Sequence, residues 1–226
     1  MFEEQERFIK NLVTISPQEQ KQLAAKSVFI SGCGGLGGFV GEYLTRLGLG
    51  SLVFCDFDKF ELDNMNRQLL CTGETLGKNK AITATERSLA INPSIKARAV
   101  TQKLTKDNAD SIISGCDLVV DALDNIADRI MLEKAAQKNG VPLISAAVKG
   151  YMGQVVVSLP GDFTVFKLYD NYTERKEVGT LSLVAGITAG YAATEAIKLL
   201  SGDNSGSKRV LIIDTFNRRL ETITLK

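Results

Sequence analysis

A glycine-rich segment near the front of the chain limits the fold more than any other feature of the sequence. Gly32, Gly34 and Gly37 follow the pattern G-x-G-x-x-G between an apolar run at residues 28–31 and a stretch of apolar residues at helical spacing. Glycines here let the backbone turn tightly and approach a phosphate at a helix N-terminus. The pattern predicts a nucleotide-binding strand–turn–helix unit, but alone it does not separate nicotinamide or flavin cofactors from other nucleotides.

Strand and helix signals alternate along the rest of the chain and define the fold class. We expect strands at residues 28–31, 52–55, 97–100, 118–120, 143–147 and 154–158, with helical stretches between most of them. This alternation is typical of a Rossmann-like α/β fold, a mostly parallel sheet with helices on both faces. Residues 209–213 and 219–225 are expected to add a C-terminal antiparallel extension. Because no linker rich in Pro or Ser interrupts the sequence, we predict a single domain over residues 1–226.

Three segments stand apart from this alternation. Residues 1–25 are expected to form an N-terminal helical segment, in which Ser16 caps a helix whose first residue is Pro17. Residues 164–180 are polar and without a clear period, which predicts a long, mobile surface loop. The helix at residues 183–200 is rich in Ala and Gly, and we expect it to be buried on all sides.

The composition excludes several classes of function. The 226 residues include no histidine, which removes catalytic groups that depend on an imidazole. None of the four cysteines forms a C-x-x-C pair, so we expect no zinc and reduced thiols in a cytoplasmic protein. A net charge of +1 gives no sign of a nucleic-acid or membrane partner. The most apolar stretch, residues 181–200, carries Glu195 and Lys198, which argues against a membrane span.

Three charged residues after the glycines narrow the choice of nucleotide. Asp56 ends the second apolar run about 20 residues beyond the glycines, where a carboxylate can accept both ribose hydroxyls. Arg67 suits bidentate contact with phosphate, and Lys80 supplies a point charge just inside the next helix. A dinucleotide site needs few fixed cations, whereas a triphosphate and its leaving pyrophosphate need several. Together the three residues favour a nucleoside triphosphate.

As a set, these motifs resemble the ThiF/MoeB/HesA family, the bacterial relatives of ubiquitin-activating E1 enzymes. The matching stretches are Gly32-Cys33-Gly34-Gly35-Leu36-Gly37, Asp56-Phe57-Asp58, Asn64-Met65-Asn66-Arg67-Gln68, Gly77-Lys78-Asn79-Lys80, Ile91-Asn92-Pro93 and Asp121-Ala122-Leu123-Asp124-Asn125. The likeness extends from about residue 7 to residue 225, which is nearly the whole chain.

The resemblance implies an ATP-dependent adenylyltransferase, usually a homodimer, that acts on a small ubiquitin-like carrier protein ending in Gly-Gly. In such enzymes the C-terminal carboxylate of the carrier attacks the α-phosphorus of ATP, giving an acyl-adenylate and pyrophosphate. Carried over by position, the implied ATP-binding residues are Gly32, Gly34, Gly35, Asp56, Asn64, Asn66, Arg67, Gln68, Lys80, Asp124 and Asn125. Of these, Arg67, Lys80 and Asp124 are implied to be catalytic, and Asp124 to coordinate Mg²⁺. The missing histidine fits, because a chain-terminal carboxylate is already ionised at pH 7 and needs no general base.

The sequence departs from the family pattern in two places. Lys10 stands where many relatives place an arginine that reaches across the dimer to the phosphates, and a lysine loses the bidentate geometry. Residues 164–180 contain no cysteine, so we expect no thioester or persulfide step on that segment. Cys71 follows the Arg67–Gln68 pair on an expected loop and could be exposed. An ordinary thiol is favoured there, because no cation other than Arg67 is placed to lower its pKa.

Three other functions stay open at this point. The chain could activate a modified tRNA base or a peptide, although its near-neutral charge counts against tRNA. It could be a non-catalytic E1-like scaffold, although such a subunit has no need to keep Arg67, Lys80 and Asp124. It could be a nicotinamide or flavin oxidoreductase, in which case those three residues would have no role.

Overall fold

The architecture is an α/β fold around one eight-stranded sheet, seen in a computed structural model that describes residues 6–170, 172 and 178–225. The strand order is β3-β2-β1-β4-β5-β6-β7-β8. The strands are β1 (Ser27–Ser31), β2 (Ser51–Cys55), β3 (Lys96–Val100), β4 (Leu118–Asp121), β5 (Leu143–Lys149), β6 (Met152–Ser158), β7 (Arg209–Asp214) and β8 (Arg219–Thr224). The first five strands pair in parallel, and β6, β7 and β8 continue the sheet antiparallel. The predicted fold class and its antiparallel extension are confirmed.

Helices cover both faces of the sheet. They are α1 (Pro17–Leu23), α2 (Gly37–Arg46), α3 (Lys80–Ile91), α4 (Ala109–Ile113), α5 (Ile126–Asn139), α6 (Thr164–Tyr169) and α7 (Ser182–Leu200), with 3₁₀ turns at Asn11–Val13 and Leu62–Asn64. One apolar cluster joins α2, α3 and α7 to the sheet, and a second joins α4, α5 and α6 to its other face. The inner strands β1, β2 and β4 of the parallel half are therefore buried on both sides, whereas the edge strand β3 is partly exposed.

Local capping signals explain where several helices begin and end. Ser16 Oγ accepts from the Glu19 amide at 3.2 Å, and Glu19 Oε2 accepts from the Ser16 amide at 2.8 Å. This capping box starts α1 at Pro17, as predicted. Asn125 caps α5 in the same way, and that helix ends at Gly140, whose φ of 66° suits glycine.

Residues 164–180 differ from the sequence prediction of one long loop. The structure has a helix, α6, at the start of this segment, and residues 171 and 173–177 lie outside the described residues. The first turn of α6 is held by Glu133 of α5, whose carboxylate accepts hydrogen bonds from the amides of Val165 and Phe166. Because this cap comes from a residue 32 positions before Val165, the sequence of α6 itself contains no local signal for it.

The prediction that α7 is buried on all sides is wrong. By length and apolar composition this helix could cross a membrane, and half of it is buried against the rest of the protein. Ala185, Ala189 and Ala192 face the core, whereas Leu183 and Ile187 are 57% and 43% exposed. The small residues allow close packing on the sheet, and the opposite face of the helix remains open.

Candidate active site

A cleft of about 1390 Å³ opens where the carboxyl ends of β1, β2 and β4 meet. This edge of a parallel sheet, at the point where the strand order reverses, is the usual ligand-binding place in such folds. The cleft is lined by all but one of the residues predicted for the site: Gly32, Gly34, Gly35, Asp56, Asn66, Arg67, Gln68, Lys80, Asp124 and Asn125. The structure thus brings together residues that are up to 93 positions apart in the sequence.

The glycine turn between β1 and α2 has positions where no side chain fits. Gly32 has a φ of 86°, and a Cβ there would lie 2.7 Å from the carbonyl oxygen of Ala122. A Cβ on Gly37 would lie 1.8 Å from the carbonyl oxygen of Gly32. At Gly35 the space is open instead, with the carbonyl oxygen of Arg67 at 3.7 Å. The first two glycines therefore shape the turn, and Gly35 leaves room in the cleft.

Asp56 lies directly beyond β2, beside the glycine turn. Its Oδ2 accepts from the Cys33 amide at 2.7 Å, and its Oδ1 accepts from the Asp58 amide at 2.9 Å. Burial raises the pKa of this carboxyl above its ordinary value, and the two amide hydrogen bonds and the nearby Lys80 ammonium work against that rise. The carboxylate is held in a fixed direction at the edge of the cleft, where it can accept hydrogen bonds from a ligand.

The two predicted phosphate cations stand on the glycine side of the cleft. Arg67 lies over Gly35, and its Nη1 donates to the carbonyl oxygen of Asp63 at 2.6 Å and to Asn66 Oδ1 at 2.9 Å. Lys80 is the first residue of α3, and its side chain is only 10% exposed. A guanidinium and a sheltered ammonium therefore supply two fixed positive charges to the cleft, which also contains carboxylates such as Asp58.

Asn79 connects the start of α3 to the loop that carries Asp56. Its Oδ1 accepts from the Ile82 amide at 3.1 Å and so caps the helix. Its Nδ2 donates to the carbonyl oxygens of Asp56 and Asp58, each at 3.1 Å. One amide side chain therefore fixes the position of Lys80 relative to Asp56, a role that the sequence analysis did not assign.

Gln68 and Asn64 occupy different environments, although both were predicted to contact the nucleotide. Gln68 is 8% exposed and lines the cleft below Gly34, and its Oε1 has no hydrogen-bond partner within the described structure. Asn64 does not line the cleft. Its amide is used within its own 3₁₀ turn, where Nδ2 donates to Asp63 Oδ1 at 2.9 Å. Asn64 therefore shapes the loop that carries Arg67, and the structure does not place it against a ligand.

Asp124 and Asn125 lie on the opposite wall, in the loop between β4 and α5. Both residues are exposed. Asn125 Oδ1 accepts from the Asp128 amide at 2.8 Å, so this side chain serves as the helix cap. Asp124 is exposed and lines the cleft, and within the described residues its carboxylate forms no ion pair with a lysine or arginine.

The donor set suits a magnesium ion that arrives with a nucleotide. The described residues contain no group of three or more His, Cys, Asp or Glu side chains able to hold a metal by themselves. Mg²⁺ at nucleotide sites usually takes one or two carboxylates and completes its shell with substrate phosphates and water. The single carboxylate of Asp124 across from Arg67 and Lys80 meets that requirement.

A buried network beneath this wall was missed by the sequence analysis. Arg129 is 5% exposed, and its Nη1 donates to Asp121 Oδ2 at 3.0 Å, to Ser145 Oγ at 3.0 Å and to the carbonyl oxygen of Ala146 at 2.9 Å. A signal was available in the sequence. Arg129 shares a helical face with Leu132, three residues on, so the helical period places it on the buried side of α5.

The far end of the cleft also has polar residues that the sequence analysis did not select. Gln154 Nε2 donates to the Tyr169 hydroxyl at 3.1 Å, and both residues line the cleft together with Lys149 and Thr180. The amide of Gly150 donates to the carbonyl oxygen of Gly179 at 2.8 Å and fixes the chain at this end. At about 1390 Å³ the cleft is larger than the roughly 300–1,000 Å³ that is usual for the site of one small ligand.

Of the four cysteines only Cys55 lines the cleft, and Lys10 does not line it. All four thiols are free and buried, which confirms Cys33, Cys55 and Cys116 as core residues. The expectation that Cys71 could be exposed is wrong, since it is 6% exposed and its Sγ lies 3.5 Å from the carbonyl oxygen of Glu61. Burial raises its pKa, which disfavours a nucleophilic thiolate. Lys10 is exposed in the N-terminal segment and does not line the cleft.

Comparison with known proteins identifies the family that this fold and site define. The model of the ThiF family matches residues 7–226. The chain therefore belongs to the ThiF family, as the sequence motifs predicted.

Curated relatives cover most of this chain. Protein HesA of Leptolyngbya boryana is 33% identical over 81% of this chain and 67% of its own length. The sulfur carrier protein ThiS adenylyltransferase of Escherichia coli (strain K12) is 32% identical over 92% of this chain and 85% of its own length. The sulfur carrier protein adenylyltransferase of Thermus thermophilus is 30% identical over 98% of this chain and 88% of its own length.

Solved structures share the fold at lower sequence identity. The crystal structure of Escherichia coli MccB superposes with a TM-score of 0.85 at 21% identity, covering 96% of this chain and 69% of that one. A crystal structure of PaaA gives a TM-score of 0.83 at 19% identity, covering 99% of this chain and 84% of that one. These similarities support the architecture described above.

Proposed function

We propose that the cleft binds ATP and activates the C-terminal carboxylate of a small, ubiquitin-like carrier protein as an acyl-adenylate, with release of pyrophosphate. The chain is an E1-like, ATP-dependent adenylyltransferase, the class to which its curated relatives belong. The observation that carries the proposal is the presence of Arg67 and Lys80 in the same cleft as the glycine turn and Asp56. A nicotinamide or flavin site would leave both cations without a role.

Each wall of the cleft has its own part in holding the nucleotide. Asp56 accepts hydrogen bonds from the ribose hydroxyls, and the open space at Gly35 admits the phosphates. Arg67 and Lys80 bind the phosphate oxygens, with the amides of Asn66 and Gln68 beside them. The buried Oε1 of Gln68 has no hydrogen-bond partner within the described structure, and because it is an acceptor it would pair with a donor group of a ligand and not with a phosphate oxygen.

The reaction is a displacement at the α-phosphorus. A carboxylate oxygen of the carrier forms a bond to the α-phosphorus, and the bond from that phosphorus to the bridging oxygen breaks, so that the electron pair leaves on pyrophosphate. No proton has to be removed, because a terminal carboxylate is ionised at pH 7. Arg67 and Lys80 stabilise the negative charge that gathers on the leaving group. The chemistry therefore needs orientation and fixed cations, and this histidine-free chain supplies both.

Asp124 would hold the magnesium ion that accompanies ATP, with Asn125 beside it. When bound, such an ion neutralises charge on the phosphates and orients them for in-line displacement. The far end of the cleft, around Gln154 and Tyr169, offers room for the tail of the carrier. The names of two curated relatives as sulfur carrier protein adenylyltransferases support a carrier of this type.

We also propose that two copies of the chain pair through the open face of α7. Leu183 and Ile187 are large apolar side chains at 57% and 43% exposure, one turn apart on this face. Beside them, a Cβ on Gly190 would have no neighbouring atom within 4 Å. A second copy could therefore approach this helix closely and cover its apolar side chains.

The test is ATP–pyrophosphate exchange with purified protein, Mg²⁺ and candidate carriers that end in Gly-Gly. We expect exchange with a full-length carrier and none with the same carrier lacking its last two glycines. If exchange depends instead on a short peptide or on tRNA, that molecule is the substrate and not a carrier protein. Absence of both exchange and ATP binding would indicate a non-catalytic scaffold instead.

A further inference from the structure

We propose that Arg129 is a positioning residue for Asp124, because its guanidinium fixes the backbone of Leu123 and thereby sets where the Asp124 carboxylate stands in the cleft. The inference rests on the proposed role of Asp124 at the magnesium ion. It assigns a function to the buried network below the cleft wall, which the proposed reaction does not otherwise use.

The guanidinium of Arg129 joins three elements of the fold. Its Nη1 reaches Asp121 at the end of β4 and both Ser145 Oγ and the carbonyl oxygen of Ala146 on β5. Its Nη2 donates to the carbonyl oxygen of Leu123 in the loop after β4. Ser145 Oγ donates in turn to Asp121 Oδ2 at 2.6 Å. Arg129 lines the cleft, but its guanidinium is buried, and both Nη1 and Nη2 donate to acceptors of the protein.

Both backbone groups of Leu123 are held by this network. Its amide donates to Asp121 Oδ1 at 3.0 Å, and its carbonyl oxygen accepts from Arg129. The next residue is Asp124, which is exposed. Within the described structure, no hydrogen bond or ion pair restrains the Asp124 side chain itself. The position of its carboxylate therefore depends on the backbone that Arg129 and Asp121 fix.

The same loop is also held on the side of the glycine turn. The amide of Ala122 donates to the carbonyl oxygen of Ser31 at 2.9 Å, and the Ala122 carbonyl oxygen stands 2.7 Å from where a Cβ on Gly32 would be. The loop cannot move toward the glycine turn, since the backbone already fills that space. When Arg129 is changed, the loop keeps its contact with the glycine turn but loses the hydrogen bond at the carbonyl oxygen of Leu123, so the Asp124 carboxylate is held less firmly.

An arginine is required for this geometry. Its planar, forked donors reach several acceptors at once, whereas a lysine ammonium is a compact point charge that cannot span the same set. Residues that orient a metal ligand from behind typically change metal affinity by 10–100-fold when they are mutated. Loss of Arg129 should therefore affect magnesium more than nucleotide.

The experiment measures ATP binding by isothermal titration calorimetry over a range of Mg²⁺ concentrations, with no carrier present. For Arg129→Lys we expect the Mg²⁺ concentration for half-maximal enhancement of ATP binding to rise about 10-fold, and ATP binding without Mg²⁺ to stay within about 2-fold. Ser145→Ala removes one hydrogen-bond partner of Arg129 and should raise the same half-maximal Mg²⁺ concentration by a smaller factor. Arg87→Lys serves as the control, because Arg87 pairs with Glu42 far from the cleft and should leave the Mg²⁺ dependence unchanged.

Each outcome decides one of the two ideas. If ATP binding by Asp124→Ala has the same Mg²⁺ dependence as ATP binding by the wild type, Asp124 does not hold the metal. The positioning role of Arg129 is then lost as well. If Asp124→Ala shifts that dependence and folded Arg129→Lys does not, Arg129 is only structural and the proposed function stands. Should Arg129→Lys not fold, Ser145→Ala decides in the same way. A shift that is reproduced by Arg87→Lys would also overturn the proposal.

Discussion

The ammonium of Lys80 lies 3.6 Å from Asp58 Oδ2, and the two side chains differ sharply in exposure, at 10% and 52%. A sheltered cation thus has an exposed and loosely held counter-ion. Such an ion pair contributes little to stability, because water and salt screen its exposed partner. A phosphate entering the cleft can replace Asp58 at the ammonium, so Lys80 is available for a ligand without breaking a strong internal contact.

The first prediction concerns this lysine. Lys80→Ala should lower the rate of ATP–pyrophosphate exchange by about 10²–10³-fold, since one fixed charge on the leaving phosphates is lost. The melting temperature should change little. Lys78→Ala is the matched control, because Lys78 is exposed two residues earlier and does not line the cleft. If Lys80→Ala and Lys78→Ala lose the same amount of exchange activity, Lys80 has no specific role at the proposed site.

The second prediction separates two glycines of the same turn. Gly35→Ala should fold normally, because its new methyl group would meet the carbonyl oxygen of Arg67 at an ordinary 3.7 Å. The methyl group would nonetheless occupy space that the phosphates need, so ATP affinity measured by calorimetry should fall at least about 10-fold. Gly37→Ala should instead fail to fold, since its methyl group would lie 1.8 Å from the carbonyl oxygen of Gly32.

Unchanged ATP binding by Gly35→Ala would show that the phosphates do not pass this glycine. A stable Gly37→Ala protein would contradict the close contact between the two ends of the turn. Thermal unfolding and calorimetry on both variants distinguish a loss of fold from a loss of ligand.

Local signals explain why much of the fold was predictable from the sequence. The capping box at Ser16 and the apolar strands of the parallel half depend on residues close together in the chain. The site was predictable for a related reason, because the carboxyl ends of β1, β2 and β4 share one edge of the sheet. Side chains that follow these strands, such as those of Asp56 and Asp124, therefore line the same cleft.

The features that the sequence did not reveal depend on the direction of a side chain or of the backbone in the folded protein, which the residue type alone does not determine. Asn64 has the same chemistry as Asn66, but its amide turns into its own loop and not into the cleft. Composition describes α7 without indicating which face the sheet covers, so the exposure of Leu183 was not predictable. The helix α6 was missed because Phe163, at its cap position, has a φ of 50° and offers no side-chain cap.

The third prediction is a pH dependence of stability at Glu42, which connects α2 to α3. Burial by itself would raise the pKa of this carboxyl, but hydrogen bonds from Arg87 and Arg46 outweigh it and hold the pKa below its ordinary value. A carboxyl with a lowered pKa stabilises the fold above its unfolded pKa, about 4.3, and this contribution is lost as the pH falls through the folded value. Because both arginines are about half exposed, we expect about 1–2 kcal/mol at pH 7.

The measurement compares the free energy of unfolding of wild type and Glu42→Gln between pH 7 and pH 3. The difference should be constant from pH 7 to about pH 5 and should shrink below about pH 4. A difference that grows as the pH falls would have the wrong sign for a salt-bridged carboxylate.

The fourth prediction tests the pairing of two copies through α7. Ile187→Glu would place a charge in the apolar face and should convert a dimer into a monomer in light scattering, with exchange reduced if the site needs the partner. Ile223→Glu is the control, since Ile223 is a similarly exposed isoleucine (49%) on the edge strand β8 and lies outside α7. A wild-type protein that is monomeric at every concentration would exclude this dimer.

The last prediction concerns Glu133, a carboxylate with no exposed surface. It accepts hydrogen bonds from Ser158 Oγ at 2.6 Å and from the amides of Val165 and Phe166 at 2.8 Å each. These two amides belong to the first turn of α6, where backbone donors have no partner within the helix. Glu133 thus supplies the cap that the local sequence lacks, and its negative charge suits the positive end of a helix.

Glu133→Gln replaces one carboxylate oxygen with an NH₂ group, which is a hydrogen-bond donor. This group then faces a backbone amide of α6, which is also a donor, so one buried hydrogen bond is lost. We expect a loss of about 1–3 kcal/mol in the free energy of unfolding. Hydrogen exchange should accelerate in residues 164–169 more than in β5 or β6, because the change acts on α6 first. Since α6 carries Tyr169 to the far end of the cleft, KM for the carrier should rise while KM for ATP stays constant. Glu86→Gln changes an exposed residue of α3 and is the control, which should alter neither stability, hydrogen exchange nor KM. If Glu133→Gln raises KM for ATP alone, α6 lies at the nucleotide end of the cleft instead.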